Sequence, residues 1–185
     1  MSRFSRKSAG RAPAPLDPAR LEELALAYVA RFATTRAKLE AYLVRKVRER
    51  GWSGESEPPA QAIADRFAEA GYVDDAAYAR MKTGSLLRRG YGMLRVGQAL
   101  RAAGVEDEVR EELAPAEAET RWAALALARK RRFGPFGGVA LDRPMREKQL
   151  AAMLRAGHAL DSAVRMVDAA SVAEAEQWAA EASDE

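Results

Sequence analysis

Three glycines set the frame of this chain. Gly51, Gly104 and Gly157 lie 53 residues apart, and each closes a stretch that reads as an amphipathic helix. The local strings agree in kind: Arg50-Gly51-Trp52, Ala103-Gly104-Val105 and Ala156-Gly157-His158, each followed by a shorter helical pattern. A period of that length holds three ordinary helices with short connections. The spacing therefore predicts three tandem three-helix modules. Of the 185 residues, 41 are Ala and Ile63 is the only Ile. Ala buries little area and β-branched residues are scarce, so the chain reads as all-α, with thin Ala-filled modules and no sheet.

Local signals place the helices. Asp17 is an N-cap with Pro18 at the first helical position, and Leu16 and Leu21 have the spacing of a hydrophobic staple; this helix is expected to reach about Phe32. Thr34 or Thr35 caps a second helix with Leu39, Tyr42, Leu43 and Val47 on one face. Pro58 or Pro59 opens a third, with Ile63, Phe67 and Ala70 on one face, and Gly71 ends it. Asp74 caps a helix with Tyr78, Met81 and Ser85 on one face, and Gly90-Tyr91-Gly92 breaks it. Val96, Leu100 and Ala103 follow, then a short helix with Val109 and Leu113. The third round opens at Pro115, with Trp122, Leu125 and Ala126. It continues after Pro144 with Leu150, Met153 and Leu154, and then with Leu160, Val164 and Val167. Ser171 and Glu174 form a capping box for a final polar helix. The expected division is a disordered basic tail over 1–16, repeats over 17–71, 72–114 and 115–170, and an acidic helix or tail over 171–185.

The absences exclude several chemistries. There is no Cys, which removes disulfides, thiol nucleophiles and Fe–S clusters. His158 is the only His, so a multi-His metal site is impossible; just past a helix stop, it reads as a surface or capping residue. No phosphate-binding Gly-rich loop with a following Lys-Ser/Thr is present. Asp74-Asp75 is explained by capping and the helix dipole, so no metal and no cofactor is expected there. Trp52, Trp122 and Trp178 read as core or staple residues. The longest apolar runs are seven residues, far short of a membrane span. The expectation is a cytoplasmic protein that is not an enzyme.

Charge is where a partner shows. The net charge of +3 divides into +8 over residues 1–104 and −5 over 105–185. From Ala76 to Val105 there are Arg80, Lys82, Arg88, Arg89, Arg95 and Arg101 and no acid. A second cluster is Arg129-Lys130-Arg131-Arg132, and Arg45 and Lys46 form a lesser one. Arg, whose planar fork suits phosphate and carboxylate, supplies 24 of the 30 basic residues. Arg88-Arg89-Gly90-Tyr91-Gly92 puts two Arg at a helix end, then a turn, an aromatic and Arg95 on the next helix. That pattern suits a phosphate or a carboxylate on a protein partner.

The string Gly71-Tyr72-Val73-Asp74-Asp75-Ala76-Ala77-Tyr78-Ala79, followed by Arg88-Arg89-Gly90-Tyr91-Gly92-Met93-Leu94-Arg95-Val96, resembles the RecX family of regulatory proteins. Val73 and Val96 stand where Leu and Ile are usual, and Trp52 to Pro59 is an insertion. The resemblance extends in layout from about Leu21 to Val167 and implies three tandem helix-turn-helix-like repeats in an elongated, curved arrangement. It further implies a monomeric modulator that binds RecA and its filaments on single-stranded DNA, suppressing ATPase, strand exchange and co-protease activity. Arg88, Arg89, Tyr91 and Arg95 are the first candidates for that contact, with Arg45, Lys46 and 129–132 next. A sequence-independent DNA-binding module without a protein partner is the competing class, and a plain helical scaffold a third.

Overall fold

The computed structural model describes residues 14–138 and 141–182. Most of the expected basic tail, part of the Gly-rich loop, and Asp184 and Glu185 lie outside the described residues. The described residues form ten α-helices, one short 3-10 segment and no strand. The chain divides into two compact units, 1–73 and 74–185.

The first unit holds α1 (Pro18–Val29), α2 (Arg36–Arg50) and α3 (Ala60–Glu69). The Asp17 carboxylate accepts the Arg20 N–H at 2.8 Å, and Thr35 Oγ1 accepts the Lys38 N–H at 3.2 Å. Both satisfy amide donors that a helix start leaves open. Leu21, Ala25, Leu39, Leu43, Ile63, Ala64 and Phe67 form the core. Leu16 is fully buried with them. It is strapped down by backbone bonds from Leu16 N–H to the Gly51 carbonyl (2.9 Å) and from Ser53 N–H to the Leu16 carbonyl (2.8 Å). Each large aliphatic side chain so buried contributes about 1.5–3 kcal/mol.

The second unit holds α4 (Asp75–Arg88), α5 (Met93–Ala102), α6 (Asp107–Glu112), α7 (Glu117–Arg131), α8 (Arg143–Arg155), α9 (Leu160–Asp168) and α10 (Val172–Glu181). Its buried side chains fall into two clusters. One gathers Tyr78, Leu86, Leu87, Val96, Leu100 and Val105 with Ala123. The other gathers Leu125, Leu127, Met153, Met166 and Val167 with Ala124 and Ala128. Helix α7 therefore serves both, and a helix buried on two faces needs small residues for close approach. This is the structural use of its alanines.

The same arrangement corrects several expectations. Trp122, expected in the core, is 45% exposed, because residues 123–124 and 127–128 take the two buried faces of α7. Met81, Leu154 and Leu160 also face outward, as does Ala70, which lies past the last turn of α3 as its C-cap. In α4 the buried face is Tyr78, Ala79, Thr83, Leu86 and Leu87, which leaves Met81 on the opposite side. Helix α10 is no free tail: Ala175 and Ala179 are buried in the second cluster. Arg121 stacks on Trp178 at 4.8 Å and donates to its carbonyl at 2.9 Å. The Glu174 carboxylate accepts from Ala170 N–H at 2.7 Å, one residue before the Ser171 cap.

Candidate functional site

The site is assembled around two tight turns. Helix α4 ends at Arg88 with Arg89 as its C-cap, and the chain turns through Gly90 at φ +84°. A methyl on Gly90 would lie 3.0 Å from the Leu127 backbone, so the turn rests directly on α7. Helix α8 ends two residues before Gly157, which turns at φ +95°. The two turns are bonded backbone to backbone. Gly92 N–H donates to the Ala156 carbonyl at 2.9 Å and Leu94 N–H to the Gly157 carbonyl at 3.1 Å. A Cβ on Gly92 would stand 2.3 Å from the Gly157 oxygen.

His158 completes this staple, and its position differs from the surface or capping role expected of it. It is buried, with Nε2 3.0 Å from the Gly90 carbonyl. Burial holds its pKa below the ordinary 6.5, and the Gly90 bond only partly opposes this. Neutral His158 therefore donates its Nε2 hydrogen to Gly90.

The staple brings the ends of α4, α7 and α8 beside the first turn of α5. Between them lies a cleft of about 500 Å³ lined by Arg89, Tyr91, Arg95, Lys130, Arg131 and Arg155, with Leu127, Phe133, Ala152 and Ala156 beneath. Five of these side chains are cations and none is an acid. Cations at helix C-termini offset the dipole, which supplies a local reason for Lys130, Arg131 and Arg155. What singles the cleft out is the lack of carboxylates. Ion pairs in this unit go elsewhere: Arg110–Asp107, Arg121–Glu117, Arg129–Glu176, Arg143–Glu147 and Arg146–Asp168. Among the described residues, Arg89, Arg95, Lys130, Arg131 and Arg155 have no carboxylate partner. Arg89 instead lies 5.3 Å from the centre of the Tyr91 ring, and Arg95 reaches only Gln98 at 3.4 Å. Such a cleft has its forks free for phosphate or carboxylate oxygens.

Of the residues singled out from sequence, the structure brings together Arg89, Tyr91, Arg95, Lys130 and Arg131. Arg88 lines a separate groove between α4 and α7. Arg129 is engaged by Glu176 and lies near the Phe136 ring. Arg132 is the C-cap of α7 in a left-handed conformation. Arg80, Lys82, Arg101 and Arg132 do not line the cleft. Arg45 and Lys46 belong to the first unit, where both pair with Glu49 and flank the Tyr42 ring at 5.5 and 5.8 Å. Arg155 and His158 are the additions. The only sequence signal for Arg155 is its place just ahead of the stop at Gly157.

Asp74 accepts the Ala77 N–H at 2.8 Å, as its capping role requires. Among the described residues no group of three or more His, Asp and Glu side chains is placed to hold a metal ion. No helix among them is long and apolar enough to cross a membrane.

A sequence model for the second three-helix domain of RecX matches residues 74–113, which carry α4, α5 and α6 and three of the cleft residues. The chain is 34% identical over 165 residues to the regulatory protein RecX of Myxococcus xanthus, covering 84% of this chain and 88% of that protein. It is 33% identical over 142 residues to the RecX of Halorhodospira halophila, covering 76% of this chain and 82% of that one. With the RecX of Thermus thermophilus it shares 39% identity over 107 residues, 58% of this chain and 71% of the relative.

Proposed function

Because the chain belongs to the RecX family of regulatory proteins, we propose that it binds RecA and RecA filaments on single-stranded DNA. There it lowers RecA's ATPase, strand-exchange and co-protease activities in recombination and the SOS response. It acts by binding and not by catalysis, as a cytoplasmic monomer whose repeats are 17–71, 72–114 and 115–170. The observation that carries this reading is the carboxylate-free cleft of Arg89, Arg95, Lys130, Arg131 and Arg155 beside Tyr91.

The cleft engages phosphates of the filament's single strand. Hydrogen bonds between charged groups contribute about 1.5–3 kcal/mol each, and planar Arg forks hold a phosphate by two bonds at once. The backbone staple holds the segments that carry the five cations in place without a ligand, so binding has to order only their side chains. Addition of substoichiometric protein to RecA–ssDNA filaments, followed by ATP hydrolysis, tests the reading. Hydrolysis should fall; unchanged hydrolysis overturns it. If the protein binds bare oligonucleotides tightly yet leaves RecA unaffected, it is a DNA-binding module and no RecA regulator.

A further inference from the structure

Consecutive residues Arg88 and Arg89 go to different pockets, and the one Arg88 enters is unlike the cationic cleft. It is a groove of about 350 Å³ between α4 and α7. Its most buried lining is Leu87 and Ala123, with Gly84, Ala126 and Trp122 around them and the exposed Arg88 and Glu119 at its edge; the Glu119 carboxylate also accepts the Ala116 N–H at 3.1 Å. Trp122 is 45% exposed, and Met81, one turn before Gly84 on α4, is 50% exposed. The Trp122 indole N–H has no hydrogen-bond partner among the described residues, whereas the Trp52 indole donates to the Ser56 carbonyl. Glycine weakens the middle of a helix. At Gly84 the missing side chain leaves room that the Arg88 guanidinium occupies, 3.1 Å from where a Cβ would be. Among the described residues Arg88 has no ion pair.

We propose that this groove docks a protein segment presenting one large apolar side chain between an acidic and a basic residue. The apolar side chain packs on Leu87, Ala123 and Ala126 against Trp122, and Arg88 swings off Gly84 to make its contact. The acidic residue meets Arg88, and the basic one meets Glu119. A nucleic-acid strand fits less well, because the Glu119 carboxylate on the rim repels phosphate and the floor is apolar. The partner is the protein coat of the filament, so the inference rests on the regulatory reading above and adds a second contact to it. The cleft takes the strand, and the groove takes the protein.

Two variants of the full chain test this. Gly84→Leu narrows the groove from the α4 side, and the only near neighbour of the new Cβ is the movable end of Arg88. It also strengthens the helix, so the fold is retained. Trp122→Ala removes a wall that is half in solvent. Affinity is measured separately for RecA–ssDNA filaments and for a bare oligonucleotide, with thermal unfolding as the check on folding. Each variant is expected to lose about ten-fold or more in filament affinity, as for an aromatic anchor at an interface. Oligonucleotide affinity and its salt dependence should not change. Variants that bind filaments like the wild type overturn the groove proposal and leave the regulatory reading standing. Equal loss on bare oligonucleotide also overturns it and makes Trp122 a base-stacking surface. A wild-type protein whose dimerisation the variants abolish overturns it in favour of a second copy. A wild type that binds no filament overturns both readings.

Discussion

Replacing Gly157 with Ala places a methyl where the backbone of α5 already lies. The new Cβ would stand 2.6 Å from Arg95 N and 2.9 Å from Arg95 Cγ, at φ +95°. A left-handed conformation costs an L-residue about 1–2 kcal/mol. Relieving the contact means parting the two turns by most of an ångström. That weakens the Leu94 to Gly157 and Gly92 to Ala156 hydrogen bonds, each of about 1 kcal/mol net. The expected loss is about 3–4 kcal/mol, a large share of the ~5–15 kcal/mol that holds a typical domain folded. Gly138→Ala is the control within the same unit: φ is +70°, but nothing lies within 4 Å, so backbone strain of about 1 kcal/mol is the whole cost. Urea unfolding followed by tryptophan fluorescence in a Trp52→Phe background reads the second unit through Trp122 and Trp178. Gly157→Ala should exceed Gly138→Ala by about 2–3 kcal/mol and should also weaken oligonucleotide binding, since Arg95 and Arg155 part with the turns. Equal destabilisation, within about 0.5 kcal/mol, would refute the staple as the device that builds the cleft.

Other consequences follow from the same geometry. Burial keeps His158 below its ordinary pKa of 6.5, so the unfolded chain takes up the proton first. Its contribution is therefore complete above pH 6.5 and is lost as pH falls through that value toward the folded pKa. Urea midpoints should drop between pH 7.5 and pH 5 in the wild type (a range set around about 6.5) and drop less in His158→Gln, which keeps a donor for Gly90. Asp74→Ala should cost about 1 kcal/mol while Asp74→Asn, which also caps, costs almost nothing. A large effect of Asn together with Mg²⁺-dependent activity would instead make Asp74 a ligand. Arg155→Ala should lower the slope of log affinity for single-stranded DNA against log salt by about 0.7, whereas Arg129→Ala, whose guanidinium Glu176 already holds, should leave it alone.

What could be seen in the sequence was local. Asp17, Thr35, Asp74 and Ser171 cap as their residue types require, because a cap is made within three residues. The turn at Gly90 and the stop at Gly157 were equally legible. That these two turns bond to each other was not, since they are 67 residues apart and the contact is backbone to backbone. The burial of His158 and the place of Arg155 in the cleft depend on that same contact, so neither shows in a local pattern. Trp122 faces outward where periodicity points it inward, because helical periodicity presumes one buried face and α7 has two. Arg88 and Arg89 looked like one charged unit, yet neighbouring helical residues point about 100° apart, which sends them to separate pockets.

The most direct measurement is the affinity of the protein for RecA–ssDNA filaments across a range of salt concentrations, for the wild type and for Arg89→Ala/Lys130→Ala. With five cleft cations each meeting a phosphate the log–log slope reaches about −3.5, and the double variant should flatten it by about 1.4 while binding more weakly at every salt concentration. A variant with the wild-type slope and affinity would contradict the assignment of the cleft to the strand.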